Sequence, residues 1–315
     1  MRQLFKNIFL FGSYSIVVYI ILLLFFGEFF PKGINKNLIY RVSEGDSYSR
    51  IKELQNTKNV DILILGSSKA YRGYDTRVFQ DRGFSSFNLG SSAQSFAQTE
   101  LLLNKYLDSL NPKMVIYDVN PGLFPGYGVW SSLDLISYDS PGLDWTKLIL
   151  RQNDIRLYNT YVFSIYNRFK KDETHTNDKS KLVIDKYIPG GHIETSSTSF
   201  KNNELKTPYS IEIIDFQLNA FKSSLNIIKE HKVSFVLVQT PTSIEQNSTI
   251  LNRKSFDSLF NDHGPYLNYN KIIKLDHSFF KDHGHLNSKG ATEFSNLLID
   301  NLIELNLQPK ETQKN

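Results

Sequence analysis

Three residues that could carry nucleophilic chemistry stand at defined points of this sequence. Ser68 closes the apolar run VDILILGSS (residues 60–68), and Asp282 and His285 lie three positions apart in KDHGHLNSKGA (281–291). An Asp three residues before a His, across a tight turn, can direct its carboxylate to one ring nitrogen while the other nitrogen faces a serine. These residue types therefore fit a nucleophile, a general base and the carboxylate that orients the base.

Donors for a developing negative charge follow two further apolar runs. Gly90 ends FSSFNLG (84–90), and Asn120 ends MVIYDVN (114–120). If the runs are parallel strands, their carboxyl ends lie at one edge of a sheet, so Ser68, Gly90 and Asn120 converge by topology alone. A backbone N–H and an amide side chain at that edge could stabilise an oxyanion.

The Asp-x-x-His spacing is weak evidence on its own. A second copy, Asp172 to His175, occurs in the polar stretch KKDETHTNDKSK (170–181), with no strand-like run before it. We interpret that copy as part of a solvated loop. What distinguishes the pair at 282 and 285 is that the chain also supplies a serine at a strand end.

Several neighbouring residues allow other interpretations. His283 and His285, with Asp276 and His277 close by, could be zinc ligands, although a third convergent ligand is not evident and the serine would go unexplained.

Two further pairs of residues each allow two interpretations. Lys69 and Arg72 either hold an anionic substrate or form a solvated first helical turn. Trp130 and Trp145 either stack on sugar rings as part of a lid or pack in a core.

The elements that must position these residues follow from an alternation of patterns after residue 59. Strand-like runs cover 60–68, 84–92, 114–122 and 233–241, with 271–276 as the candidate fifth, and helical patterns cover 97–110, 211–231 and 292–305. The alternation predicts an α/β fold, a mostly parallel five-stranded sheet between two layers of helices. A long insertion, about 121–208, separates the third and fourth strands.

Composition excludes several classes of function. The formal net charge is only +4 and the chain has no long Lys/Arg block, so we expect no nucleic-acid partner. There is no cysteine, which excludes thiolate catalysis, cysteine zinc sites and disulfides. With 315 residues, 40% of them hydrophobic, the chain is long and apolar enough to bury a core. We also expect no cofactor and no metal.

The N-terminus predicts a membrane anchor. Residues 7–27, NIFLFGSYSIVVYIILLLFFG, carry no charge over a length sufficient to cross about 30 Å of hydrocarbon as a helix. Arg2 and Lys6 precede the run, so the positive-inside rule places the N-terminus in the cytoplasm and the rest of the chain outside the bacterial inner membrane. A cleaved signal peptide is the alternative, but GEFFPKG offers no A-x-A-like cleavage site.

Together these patterns predict four segments. They are an anchor over 1–30, a stalk with one short helix over 31–58, an α/β domain over 59–306 that contains the insertion, and a disordered tail over 307–315.

Three motifs resemble blocks of the SGNH, or GDSL-type, hydrolase family. LILGSSKAYRGYD, FNLGSSAQS and DHGHLNSKGA are similar to the family's first, second and fifth blocks, and they occur in the family's order over residues 60–306. The resemblance implies a flavodoxin-like SGNH fold. It also implies that Ser68 is the nucleophile, that Gly90 is an oxyanion donor, and that Asp282 and His285 complete the triad.

The chain departs from the family pattern in two places. Ser67 stands where the GDS sequence has Asp, a position that is not the reacting group. The third block, G-x-N-D in the family, is reduced to Asp118-Val119-Asn120-Pro121. Asn120 is therefore either a second oxyanion donor or an Asn that begins a turn before a proline.

The resemblance also implies a function. A single N-terminal anchor before an SGNH-like domain is similar to the acetyltransferases of alginate-type exopolysaccharides and to the D-alanine transfer protein of teichoic acid systems. We therefore expect a membrane-anchored serine esterase or O-acyltransferase acting on acyl esters, acetyl first among them, of a cell-envelope or exported polysaccharide. A membrane-bound O-acyltransferase is the implied partner. The alternative is a catalytically inactive SGNH-like subunit that binds glycan or acts as a scaffold.

Overall fold

The computed structural model describes residues 1–30, 36–41, 45–170, 185–196, 200, 207–307 and 309. The chain divides into two compact units, residues 1–42 with 132–177, and residues 43–131 with 178–315. The second Asp-x-x-His pair, Asp172 and His175, lies outside the described residues, as does nearly all of the predicted tail over 307–315.

The described helices and strands follow one another in chain order. The helices are α1 Arg2–Phe29, α2 Ser47–Leu54, α3 Ser68–Gly73, α4 Thr76–Asp81, α5 Phe96–Leu110, α6 Val129–Ile136, α7 Leu143–Gln152, α8 Ile155–Phe169, α9 Asp215–Glu230, α10 Ile244–Ser248, α11 Arg253–Asn261, α12 Tyr269–Ile272 and α13 Ser288–Glu304. The strands are β1 Ile62–Leu65, β2 Ser86–Asn88, β3 Met114–Asp118, β4 Asp185–Ile188, β5 His192–Thr195, β6 Ser234–Gln239, β7 Tyr266–Asn268, β8 Phe280–Asp282 and β9 His285–Leu286.

The first unit contains α1 together with α7, α8 and the part of α6 from Ser132 on. Helix α1 is long and apolar enough, by length and composition, to cross a membrane. Its C-terminal part contacts α8, since the Tyr19 hydroxyl donates a hydrogen bond to Asn159 Oδ1 at 2.8 Å and Lys170 pairs with Glu28. This agrees with one N-terminal apolar helix before the α/β part of the chain.

The second unit is built on a five-stranded sheet in the order β2-β1-β3-β6-β7, with every neighbouring pair parallel. Strands β1 and β3 are fully buried, as expected for strands that helices cover on both faces. The chain passes from β1 to β2 on one side and then to β3 on the other. Strand order therefore reverses at β1 and β3, which is where parallel sheets open a binding crevice.

Helices cover both faces of this sheet. On one face Ile64, Ile116 and Val238 pack with residues of α3, α4 and α13 in a single core cluster. On the other face Tyr117 of β3 contacts Phe96 of α5 and Phe221 of α9, at ring-centroid distances of 6.1 Å in each case. The predicted three-layer α/β/α arrangement is confirmed.

The predicted position of the fifth strand is wrong. The strand is β7, Tyr266–Asn268, and not 271–276. Asn268 ends pairing because its side chain accepts a hydrogen bond from the Asn270 N–H, which starts the helical turn α12. Ile273 and Leu275 pack against the core cluster instead of joining the sheet, which explains their strand-like pattern.

The insertion contains regular structure that was not predicted from its sequence. The part of the insertion that belongs to the second unit contains the hairpin β4–β5, in which Ile188 pairs with His192. Asn88 of β2 donates its N–H to Gly190 O at 2.7 Å, so the hairpin turn lies directly beside the central sheet.

Candidate active site

Ser68 lies just after the turn that joins β1 to α3. Strand β1 ends at Leu65, and Gly66 follows with φ +147°, in a position where a Cβ would lie 2.8 Å from Asp118 Cβ. The Ser67 side chain then accepts a hydrogen bond from the Lys69 N–H and caps α3, of which Ser68 is the first residue. The Ser68 hydroxyl is therefore presented at the carboxyl end of β1, and the residue is half-buried.

His285 reaches this serine from the other end of the chain. Ser68 Oγ lies 2.8 Å from His285 Nε2, and His285 Nδ1 lies 2.9 Å and 3.0 Å from the two carboxylate oxygens of Asp282. The distances are those of a nucleophile, a base and an orienting carboxylate. Because 29% of the His285 side chain is exposed, a substrate can reach it.

Neighbouring bonds hold the Asp282–His285 turn. The Gly284 N–H donates to Asp282 Oδ1 at 2.8 Å, which fixes the carboxylate beside the ring. Asn287 caps α13 by accepting from the Gly290 N–H, and its Nδ2 donates to Ser278 O and Phe280 O. The turn is thereby attached to a rigid helix.

The ionisation states of the pair suit general-base chemistry. Burial lowers the pKa of His285 below its usual value, although hydrogen bonding with Asp282 partly opposes this, and Lys69 and Arg72 lower it further. For Asp282, burial disfavours the charge, but the His285 hydrogen bond and charge outweigh it and lower the carboxyl pKa far below its usual value. At neutral pH the carboxylate is charged and the imidazole is neutral, ready to accept a proton.

The two predicted oxyanion donors differ in availability. The Gly90 N–H already donates to Asn88 Oδ1 at 3.1 Å, so it is not free in this state. Asn120 is 8% exposed, and its Nδ2 is buried without a hydrogen-bond partner among the described residues. An unpaired buried amide donor is costly, which makes Asn120 the better candidate for a group that binds developing charge.

Asn88, the other amide at this edge, has a structural position. It is fully buried, and its Nδ2 donates to Ala70 O at 2.8 Å and Tyr74 O at 3.4 Å. Asn88 therefore joins the end of β2 to α3 rather than facing a ligand.

Neither interpretation of Lys69 and Arg72 fits the structure. Lys69 Nζ donates to Gly284 O at 2.8 Å, and Arg72 is buried and forms a bidentate pair with Asp185 of β4 at 2.7 and 3.0 Å. Both cations hold other parts of the protein, so neither is a solvated turn or a ready anion site. In the sequence, only the position of Lys69 next to Ser68 suggested that Lys69 lies at the candidate site.

The sequence did not indicate the environment of Asp118, a buried carboxyl group packed against Gly66. Asp118 accepts hydrogen bonds from the Tyr74 hydroxyl at 2.9 Å and from the Thr240 N–H and hydroxyl. Burial raises its pKa to about 6, although these bonds and the nearby Lys69 charge oppose the shift. Its position before Val119 in a strand gave no sign of this, because Tyr74 directly follows α3 and Thr240 directly follows β6, both far from Asp118 in the sequence.

The zinc interpretation finds no support in the arrangement of the histidines. His283 Nδ1 lies 2.8 Å from Ser243 Oγ, while His285 is engaged by Ser68 and Asp282. Across the ranges that the structure describes, no three His, Asp or Glu residues come together as a metal site.

The two tryptophans lie in different units of the structure. Trp145 is buried in the first unit, where its Nε1 donates to Asp139 Oδ2 at 2.7 Å, so it is a core residue and not part of a sugar-stacking lid. Trp130 belongs to the second unit and is 40% exposed.

No protein-family model and no curated protein matches the sequence. Solved structures similar to this chain include a GDSL-like lipase from Bacteroides thetaiotaomicron, 12% identical with a TM-score of 0.41, which covers 83% of this chain and 98% of its own. A family 3 carbohydrate esterase from Clostridium thermocellum is 11% identical with a TM-score of 0.37, covering 79% of this chain and 97% of its own.

A two-domain esterase active on acetylated mannans is 11% identical with a TM-score of 0.36, covering 89% of this chain and 58% of its own. Similarity at this level carries no conclusion about substrate. The solved structures named here are of GDSL-type and esterase proteins, and the chain resembles the SGNH (GDSL-type) hydrolase family in its motifs.

Proposed function

We propose that this protein is a serine esterase or O-acyltransferase that acts on acyl esters of carbohydrate. The observation that carries the proposal is the chain of hydrogen-bond distances from Ser68 Oγ through His285 to Asp282. Motifs that resemble three SGNH blocks support it independently.

The reaction begins with proton transfer from Ser68 Oγ to His285 Nε2 as the oxygen attacks the acyl carbon. The resulting oxyanion accepts hydrogen bonds from Asn120 Nδ2 and from the Ser68 N–H at the start of α3. His285 then gives the proton to the leaving alcohol, and an acyl-Ser68 ester remains. Asp282 keeps the ring in the required tautomer and stabilises the imidazolium throughout.

The second half-reaction decides between hydrolysis and transfer. Water or a sugar hydroxyl gives its proton to His285 and attacks the acyl group. His285 then returns the proton to Ser68 Oγ as the bond between Ser68 and the acyl group breaks, which releases the acid or the new ester and regenerates Ser68. The N-terminal apolar helix favours a site at the outer face of the bacterial inner membrane, with the N-terminus in the cytoplasm. There the resemblance to envelope O-acylation proteins implies an acetylated polysaccharide as substrate and a membrane-bound O-acyltransferase as partner.

The test uses the full chain purified in detergent. We expect a fluorophosphonate probe to label wild-type protein once and 4-nitrophenyl acetate to be hydrolysed, with both activities reduced roughly 10⁴-fold or more in Ser68→Ala and His285→Asn. His175→Asn is the matched control, since His175 has the same Asp-x-x-His spacing. Undiminished labelling of Ser68→Ala would contradict the proposal.

Two observations favour a second candidate, a non-catalytic glycan-binding or scaffold subunit. The third block is reduced, and the Gly90 N–H is occupied by Asn88 Oδ1. Such a protein would not react with the probe at any concentration, yet it would still retain acetylated polysaccharide in a pull-down.

A separate measurement distinguishes an esterase from a transferase. After incubation, the amount of free acetate is compared with the amount of acetylated glycan, since an esterase releases acetate and a transferase forms acetylated glycan.

A further inference from the structure

Lys69 connects the nucleophile helix to the turn that carries the base. It follows Ser68 directly in α3, and its Nζ donates a hydrogen bond to Gly284 O at 2.8 Å. Gly284 lies between Asp282 and His285, 215 positions away in the sequence. The Lys69 side chain therefore contributes directly to the distance between Ser68 and His285.

The charges around Lys69 come from three elements. Asp118 faces it from β3, Asp282 faces it from the end of β8, and both attract its ammonium. His285 of β9 interacts electrostatically with Lys69 and with Arg72, and both cations lower the His285 pKa. Lys281, beside Asp282, interacts with Arg72 and Asp185. The charge of Lys69 thus acts on the base as well as on the carboxylate that orients it.

Lys69 can change its charge near the pH at which the protein would work. Burial lowers its pKa from 10.5 to about 8, and attraction to Asp118 and Asp282 opposes this. A neutral amine keeps two of the three N–H donors but loses the charge-assisted hydrogen bond to Gly284 and the attraction to Asp282. Deprotonation therefore loosens the contact between α3 and the turn.

We propose that Lys69 is a positioning residue whose protonated amine holds the Asp282–His285 turn against Ser68 and whose deprotonation sets the alkaline limit of the reaction. The inference rests on the proposed acyl chemistry at Ser68. Lys69 itself touches no reacting atom.

The turn has a second attachment, which allows the role of Lys69 to be tested without losing the fold. The Ser243 N–H donates to His283 O at 2.9 Å, and Ser243 Oγ lies 2.8 Å from His283 Nδ1. With this attachment and the Asn287 cap in place, we expect Lys69→Met to keep the turn but to lose the charge and the fixed distance.

The experiment measures the rate of fluorophosphonate labelling from pH 5 to 10 for the wild-type full chain, Lys69→Arg, Lys69→Met and the control Lys222→Met, an exposed lysine of α9. We expect a bell-shaped wild-type profile that falls near pH 8. Lys69→Met should label about 10²-fold more slowly at pH 7, as displaced catalytic groups do. The rising limb of its pH profile should lie at higher pH, because the pKa of His285 rises when a neighbouring cation is lost. Lys69→Arg should keep the rate and lose the alkaline fall.

A second measurement does not depend on reactivity. The imidazole of His285 is titrated by NMR, and amide exchange of residues 280–287 is followed in the same four proteins. We expect Lys69→Met to raise the His285 pKa and to speed exchange of the turn, while Lys222→Met changes neither.

The outcomes separate the two proposals. If Lys69→Met keeps the wild-type titration, exchange and alkaline fall, Lys69 is not a positioning residue. If wild-type Ser68 does not react while the His285 titration still depends on Lys69, the acyl chemistry fails and the positioning role stands. If Lys69→Arg keeps the alkaline fall, another group sets that limit and the second part of the inference is overturned.

Discussion

Asn120 holds a buried amide donor beside the end of β3. Its Nδ2 is buried without a partner among the described residues, whereas the Gly90 N–H is already paired. A donor held without a partner costs free energy in the resting protein, and that cost is recovered only when negative charge appears beside it.

We therefore expect Asn120→Ala to lower kcat by roughly 10²–10³-fold with little change in KM, because the donor acts mainly on the charged intermediate. Steady-state hydrolysis of 4-nitrophenyl acetate measures this. Asn120→Asp, of nearly equal size but without the donor, should be impaired at least as strongly. A kcat within twofold of wild type in both variants would remove Asn120 from the mechanism.

Residue types and motif order were sufficient to name Ser68, Asp282 and His285, and the structure brings these three side chains together. Sequence could not indicate the state of Gly90, because its N–H pairs with a side chain two positions back. It also could not indicate the environment of Asp118, whose partners come from distant elements.

At the scale of elements, the hairpin β4–β5 is attached to the same helix that carries Ser68. Arg72 of α3 pairs with Asp185, and Arg50 of α2, which is buried, donates to Gly191 O at 2.9 and 3.2 Å. Gly191 has φ +93°, and a Cβ there would lie 2.1 Å from Asn88 O. The close approach of the hairpin to β2 thus requires glycine at this position.

Gly191→Ala should consequently lower the melting temperature by much more than Gly83→Ala. Gly83 also has a positive φ, +86°, but a Cβ added there would meet no atom within 4 Å, so only backbone strain of roughly 1 kcal/mol is expected. Thermal unfolding followed by circular dichroism compares the two variants. Equal losses would mean that the hairpin can move away from β2 at no cost.

The strands were predictable where apolar runs end in small or polar residues, as at β1, β3 and β6. The fifth strand was misplaced because Ile273 and Leu275 are apolar for packing and not for pairing. The hairpin was not predicted, since Asp185 and Lys186 are exposed and its anchoring arginines lie far away in the sequence.

At the scale of the whole molecule, α1 is the element that bears on the location of the protein. Arg2 and Lys6 precede an apolar helix that is long enough to span a bilayer, which predicts an uncleaved anchor with a cytoplasmic N-terminus. The predicted boundaries of anchor, stalk, domain and tail stay predictions, as does the location outside the inner membrane.

The absence of cysteine allows a direct test of this orientation. Single cysteines are introduced as Gln3→Cys and as Ser109→Cys, an exposed site on α5, and are treated with a membrane-impermeant maleimide on spheroplasts. We expect Ser109→Cys to react in intact spheroplasts and Gln3→Cys to react only after lysis. The reverse pattern would invert the topology, and loss of residues 1–30 from the intact mass would indicate a cleaved signal peptide.

The contact between Ser68 and His285 joins positions 217 residues apart. Long-range contacts of this kind form late in folding, because a large loop must close before any stabilisation is gained. Ser68 is synthesised early and His285 near the end, so under the proposed mechanism the first half of the chain cannot be reactive by itself. During refolding, helical signal should therefore recover before probe reactivity, and esterase activity would report completion of the fold rather than its onset.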